Sequence, residues 1–497
     1  MTNRRRPSYF VNMKQFVPAA AVVALQVTAS LAEELLPVQI RAPSPAHFSD
    51  LVANNTLDFG CRPIAHPTSD GKFELQALLT RDQISWLHGE YSSDEAITVQ
   101  ETALDKRQTS GKAPIGTGDR FSGGSVTPLG LGTKASTASI ASILNVNEIN
   151  SALTGLANAY PGAFFKYNLP YTTFQGRTSV AAYTGAGPDT SKYRLYLSAG
   201  MHARERGGPD NLLYWVSDLL AANKSGSGLT YGQKTYTNAQ VKSVLSAGIV
   251  LFPLVNPDGV VYDQSSGSLW RKNRNTRSGS SGASVGVDLN RNFNFLWNFR
   301  KFFSSSVSPA STSPSSEAFY GTAPESEQET KNHVSVYDKF PGIRWFMDIH
   351  SAAGTILYSW GDDVNQSTDP KMNFLNSTYD GKRGVTGDSV YKEYIPAADA
   401  TAIKRAADAT VAGMKGVGSR SYVSQQAVGL YPTSGASDDY AFSRFWAEPG
   451  VSKVYGFTME FGYSTNFYPT TAEFNNNIRD TNAGFMEWAL TAIAVGL

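Results

Sequence analysis

His202 and Glu205 stand three residues apart, and a second histidine, His350, follows far along the chain. Two imidazoles plus one carboxylate is a common protein ligand set for catalytic zinc, with the fourth position left for water. On a loop, the i, i+3 spacing lets His202 and Glu205 turn toward one ion, and His350 arrives from a distant strand. Asp288 is a candidate acceptor for the far ring nitrogen of a ligand histidine, which would fix that ring's orientation. The chain has six histidines, of which only His202, His333 and His350 lie beyond residue 137.

Ligands so far apart in sequence need a rigid frame. Short apolar runs bounded by turn residues predict strands at Tyr193–Ala199, Ala247–Val255, Ile343–Ile349, Thr355–Trp360 and Val454–Phe461. Helical spacing predicts helices at Val146–Ala159, Asp210–Ala222, Glu325–Lys339, Ala400–Gly413 and Asn482–Val495. Strands alternating with helices indicate an α/β fold: a mixed, mostly parallel central sheet flanked by helices. In such sheets ligands bind just beyond the carboxyl ends of strands. Gly200–Glu205, Asn256-Pro-Asp-Gly259, His350-Ser351 and Glu460 all fall at predicted strand ends.

The chain has 497 residues, with 43 Lys+Arg against 42 Asp+Glu, 41% hydrophobic and 17% charged residues. That hydrophobicity excludes wholesale disorder. The near-zero charge argues against nucleic acid or an anionic membrane as partner. Cys61 is the single cysteine, so no intramolecular disulfide forms. Residues 1–32 read as a signal peptide: Arg4, Arg5, Arg6 and Lys14 precede a short apolar run, too short to span a bilayer, and Ala29-Ser-Leu-Ala32 suits cleavage. This predicts a secreted, extracellular protein. Residues 33–107 read as a small α+β pro-segment, with a strand in Phe73–Leu79 and a helix at Arg81–His88, ending in the dibasic pair Lys106-Arg107. Residues 108–136 are rich in Gly, Ser, Thr and Pro, the composition of a flexible linker. Residues 137–497 then form the catalytic domain.

Seven motifs occur in order: His202-Ala-Arg-Glu205, Asn256-Pro-Asp-Gly259, Trp270-Arg-Lys272, Gly286-Val-Asp-Leu-Asn-Arg-Asn292, Asp348-Ile-His-Ser351, Tyr431-Pro-Thr-Ser-Gly-Ala-Ser-Asp-Asp439 and Phe457-Thr-Met-Glu460. This string resembles the zinc metallocarboxypeptidase family, A/B branch, over about residues 146–497. The resemblance implies one Zn²⁺ per chain held by His202, Glu205 and His350, with Glu460 as general base and acid and Arg271 at the oxyanion. It implies that Asn290, Arg291 and Tyr431 clamp the substrate's terminal carboxylate and that Arg204 meets the substrate further from its end. Asp438 matches the floor of the specificity pocket, where an acid marks members with a carboxypeptidase B-like preference for Lys and Arg. The segment before residue 107 stands where the family carries its activation peptide. Ala352 stands where animal members have an aromatic residue.

These assignments compete with plainer ones. Arg271 belongs to a cluster of cations that would suit a solvated surface. Arg291 has Asp288 nearby in sequence as a partner. Asp438 suits a cap on a helix over 439–445 or a pair with Arg444. The expected activity is a secreted carboxypeptidase, made as a zymogen and acting as a monomer, with peptide and protein C-termini as substrate and a processing protease as partner. The alternatives are a broad-specificity or cell-wall peptidase with the same site, or a non-catalytic binding protein on this fold.

Overall fold

The computed structural model describes residues 36–48, 51, 57–59, 65–68, 70–91, 97–101, 111–135, 137–462 and 466–496. The signal peptide, Cys61 and the dibasic pair lie outside them.

The first described elements are β1 (Leu36–Ala42), β2 (Ala65–Pro67), β3 (Phe73–Leu79), α1 (Arg81–Glu90) and β4 (Thr98–Glu101). The strands form an antiparallel sheet in the order β2-β3-β1-β4. Thr80 starts α1 with a capping box closed by Gln83, which satisfies two of the N–H groups a helix start leaves open. A small apolar cluster including Val38, Ile40, Leu75, Ile84 and Leu87 holds the unit together.

Residues 111–135 correct the expectation of a flexible tether. Ala113 N–H donates to Pro469 O, Gly130 N–H to Ser217 Oγ and Gly132 N–H to Asp218 Oδ2, while Arg120 pairs with Glu148 at 2.7 Å. Here glycine serves close approach: a Cβ on Gly132 would stand 2.7 Å from the Tyr231 ring.

The larger body follows. Its elements around the site are α2 (Val146–Ala159), β5 (Phe164–Thr172), β6 (Thr178–Thr184), β7 (Leu195–Ala199), α3 (Gly208–Ser225), β8 (Ile249–Phe252), α4 (Pro257–Ser266), α5 (Gln328–Lys339), β9 (Trp345–Ser351), β10 (Thr355–Tyr358), α6 (Ala397–Gly416), β11 (Val423–Gln426), α7 (Ser437–Ala447), β12 (Tyr455–Phe461) and α8 (Thr471–Val495). Eight strands make one sheet in the order β11-β10-β12-β9-β7-β8-β6-β5. Its three central pairings, from β12 to β8, and the β11–β10 pairing at one edge are parallel, and the other three are antiparallel. The expected mixed, mostly parallel sheet with helices is what forms. The central strands are continuous apolar runs because helices bury both faces.

Register then positions the chemistry. Asp348 on β9 is paired with Ser198 on β7 and Thr458 on β12, and His350 is paired with Glu460. Side chains alternate between faces with period two, and paired neighbours share a face. Ser198, Asp348 and Thr458 therefore form one row. His350 and Glu460 form the next, on the same face at the carboxyl edge.

Candidate metal centre and active site

Glycine opens the loop that carries the first ligands. Gly200 follows β7 at φ 68°, a left-handed turn that L side chains disfavour, and the chain swings His202 and Glu205 back over the sheet edge. His202 Nδ1 lies 2.6 Å from Glu205 Oε1. His350 Nδ1, at the end of β9, lies 3.0 Å from both Glu205 Oε2 and His202 Nδ1. All three side chains are buried. They are the one group of three or more His, Cys, Asp or Glu side chains among the described residues whose donor atoms converge within 4.8 Å.

Each imidazole is fixed from behind by an aspartate. His202 Nε2 is 3.0 Å from Asp288 Oδ1, and His350 Nε2 is 3.0 Å from Asp348 Oδ2. Asp288 takes the far nitrogen of His202, Asp348 stands within ion-pair reach of that of His350, and both Nδ1 atoms face the same point beside Glu205. Burial and Arg271 hold the His202 pKa low, which suits a neutral ligand. Against the cost of burial, His202 and His350 keep Glu205 well below the usual carboxylate range. Asp348 and Glu205 likewise carry His350 well above the imidazole range, also against burial. Two imidazole nitrogens crowded onto one ionised carboxylate are a donor set that a divalent cation satisfies, and a borderline-soft ion such as zinc fits N,N,O donors.

Asp288 is shared by several parts of the site. Besides His202, its carboxylate accepts from Arg271 at 3.0 and 3.3 Å and from the Asn290 N–H at 3.0 Å. Arg271 also comes within 3.6 Å of Glu205 Oε1 and is buried, so it is not a solvated surface charge. Arg291 donates to the carbonyls of Pro309 and Asn290 and to the Tyr431 hydroxyl. Its neighbour Asp288 is not its partner in any described ion pair. Asn290 Oδ1 accepts the Ser437 N–H at 2.8 Å.

Asp438 is buried in the first turn of α7, where the helix dipole favours a negative charge. It accepts from Thr458 Oγ1 at 2.9 Å and from the Asp439 N–H at 3.0 Å. The pairing with Arg444 does not form, since Arg444 turns to Glu448 and Asp338. Glu460 stands beside His350 in register and is buried.

Arg204 is fully buried, and its guanidinium meets Asp58 at 2.7 and 3.1 Å and the Phe467 ring at 4.7 Å. Asp58 comes from the N-terminal unit, where its carbonyl accepts the Leu78 N–H of β3. Leu78 in turn packs with Ala352, Phe467 and Tyr468 beside His350. Sequence reasoning did not find Asp58, since nothing local marks a pairing 146 residues long. It also passed over Asp348, although Asp348 sits two residues before a candidate ligand, and on a strand that places both on one face.

Residues 149–484 match the zinc carboxypeptidase family model, which spans more than half of the chain. The chain belongs to the zinc carboxypeptidase family. Among curated relatives of this zinc carboxypeptidase family, carboxypeptidase A2 of Rattus norvegicus is 33% identical over 231 residues, 44% of this chain and 49% of its own length. Carboxypeptidase B of Bos taurus is 30% identical over 297 residues, 58% of this chain and 56% of its own. The chain thus aligns with about half the length of the curated relatives it matches. The crystal structure of carboxypeptidase A from Helicoverpa armigera shares the fold, with a TM-score of 0.64 at 17% identity, covering 94% of this chain and 99% of that one. The zinc dependence of the family agrees with the buried His-Glu-His donor set.

Proposed function

We propose that the chain is a zinc-dependent carboxypeptidase that removes C-terminal residues from peptides and proteins, favours Lys and Arg, and is exported as a zymogen. The observation that carries this reading is the convergence of His202, Glu205 and His350 with Glu460 in register on the next strand.

Bound zinc supplies a Lewis acid that acidifies a water and polarises the scissile carbonyl. Glu460 takes a proton from the attacking water at its carboxylate and returns it to the departing amine. Arg271, already fixed by Asp288, meets the charge that develops on the carbonyl oxygen and need not reorganise to do so. Arg291 and Asn290 hold the terminal carboxylate in a planar, multi-donor grip that an ammonium does not reproduce. Tyr431, resting on Arg291, covers the bound end and yields its hydrogen bond when the carboxylate arrives. Asp438 leaves a buried carboxylate facing a cationic side chain, held by one hydroxyl and one N–H rather than by a protein cation.

Three observations support the zymogen. Asp58 occupies Arg204, Leu78 covers the wall at Ala352, and Arg120 is tied to Glu148 and Ser142. Arg120 is the other basic position at which a cut would fall, and being so held it leaves the dibasic pair near residue 107 as the better site for processing. Export rests on the leader sequence; among the described residues no helix is long and apolar enough to cross a membrane.

The test is a scan of blocked dipeptides varied at the C-terminal residue, on processed protein with and without chelator. Turnover that is lost with zinc and is fastest for Lys and Arg is expected. A zinc-loaded protein with no turnover, or equal cleavage of C-terminally amidated peptides, overturns the reading.

A further inference from the structure

Ser437 opens α7 and is completely buried. Its two polar groups reach two different parts of the site. The backbone N–H donates to Asn290 Oδ1 at 2.8 Å, and the hydroxyl donates to Asp348 Oδ2 at 2.6 Å. Asp348 Oδ1 accepts a second hydroxyl, from Ser198 at 2.7 Å, and Asp348 Oδ2 stands 3.0 Å from His350 Nε2. Behind Ser198, His333 Nε2 lies 3.2 Å from its Oγ, in a nest formed by Tyr196, Phe293 and Phe346. The next residue in α7 is Asp438.

We propose that Ser437 is a positioning residue that ties the substrate-binding helix to the metal ligand His350. This rests on the metallocarboxypeptidase reading. Its N–H consumes the amide oxygen of Asn290, so the amide nitrogen is the donor left for a substrate carboxylate. Its hydroxyl, with that of Ser198, fills lone pairs of Asp348 that would otherwise be buried and unmet. Held from both sides, Asp348 cannot rotate away from His350, and His350 Nδ1 stays turned toward His202 and Glu205. An aspartate behind a ligand histidine fixes ring orientation and raises ligand basicity. One residue thereby sets the polarity of the carboxylate clamp and the aim of a metal ligand, next to the specificity acid.

The two halves separate experimentally because a side-chain substitution spares the backbone N–H. In the full processed chain, Ser437→Ala is expected to weaken zinc about 10- to 100-fold in chelator competition. It should lower kcat at subsaturating zinc and leave KM unchanged. Ser437→Thr, which keeps a hydroxyl, should restore zinc affinity. Ser198→Ala reaches Asp348 from the opposite side, without touching α7, and should weaken zinc in the same direction. Wild-type zinc affinity in both alanine variants overturns the proposal. So does a fall in the melting temperature of the zinc-free protein that accounts for the whole loss. If Ser437→Ala does not fold, Ser198→Ala alone decides on the same criterion. Zinc affinity is read without substrate, so a wild-type chain that binds zinc but turns nothing over would sink the enzymatic reading and leave this result standing.

Discussion

Two buried arginines flank the metal centre, and each is gripped by an aspartate, but the aspartates belong to different parts of the chain. Arg271 is held by Asp288, which lies in the same body and also fixes His202 and Asn290. Arg204 is held by Asp58, which arrives on the N-terminal sheet. The first pairing is permanent: it places a cation before any substrate is present, and its cost is met on folding. The second, in the proposed zymogen, would leave with the segment that bears it. A buried ion pair is weak evidence for stability, since desolvation offsets much of the attraction, but removal of one partner strands a buried charge. The same chemistry thus prepares a site in one case and closes one in the other.

Removing the permanent cation has the largest expected effect. Arg271→Ala should lower kcat by about 10²- to 10³-fold with little change in KM, as for loss of an oxyanion donor. Steady-state kinetics on processed protein check this; an unchanged kcat would make Arg271 no more than a strut for Asp288. Next comes the removable pair. Asp58→Ala in the unprocessed chain leaves buried Arg204 with the more distant Glu317, at 3.6 Å, as its remaining carboxylate and so weakens the closed arrangement. Activity of the uncut chain on a small substrate should rise by tenfold or more, while the processed enzyme is unaffected. If the uncut variant stays silent, the closure depends on Leu78 and its apolar contacts instead.

Glu329 is a buried acid with no guanidinium partner in an ion pair among the described residues. Glu329 accepts from the Asn273 amide, and burial pushes its carboxyl up to about 8, with Glu327 and Asp258 adding to the rise. Asp288 shows the opposite behaviour: despite burial, Arg271 and His202 hold it well below the carboxylate range. A raised folded pKa means the native state binds the extra proton. The stability tied to Glu329 is therefore complete below about pH 4, the unfolded value, and drains away as pH climbs toward about 8. Glu329→Gln removes that loss. Its gain should be absent in acid, grow as pH rises and level off above the folded pKa at several kcal/mol, read as melting temperature against pH. A gain independent of pH would show that folding leaves the Glu329 carboxyl unshifted.

Much of this arrangement was legible in the sequence where the pattern was local. Asn145 and Glu148 form the capping box at the start of α2, whose predicted span, Val146–Ala159, matches the observed helix. The central strands β7, β8, β9 and β12 announced themselves as continuous apolar runs, so the strand ends bearing His202, His350 and Glu460 were in reach. The hairpin of β5 and β6 escaped notice because β5 alternates irregularly between exposed and half-buried positions and carries Pro170. Helix α8 begins eleven residues before its predicted start, at the capping box of Thr470 and Glu473: its early Asn-rich turns are buried against the body, where polarity misleads. Asp58 on Arg204 and Ser437 on Asp348 are tertiary contacts, and no periodicity encodes them. The glycines of 111–135 have the composition of slack chain, yet Gly130 and Gly132 serve close fit against Asp218 and Tyr231.

That last segment has a consequence for maturation. Lys112 and Thr470 form a bridge, Thr471 N–H donates to Gly111 O, and the chain then runs on past Ser217 and Asp218 of α3. Under the proposed processing, a cut near Lys106-Arg107 would release the N-terminal sheet and leave residues 111–135 stitched to the body. Gly111 and Lys112 would then remain moored at the foot of α8, beside the Phe467-Tyr468 wall that the departing sheet would uncover.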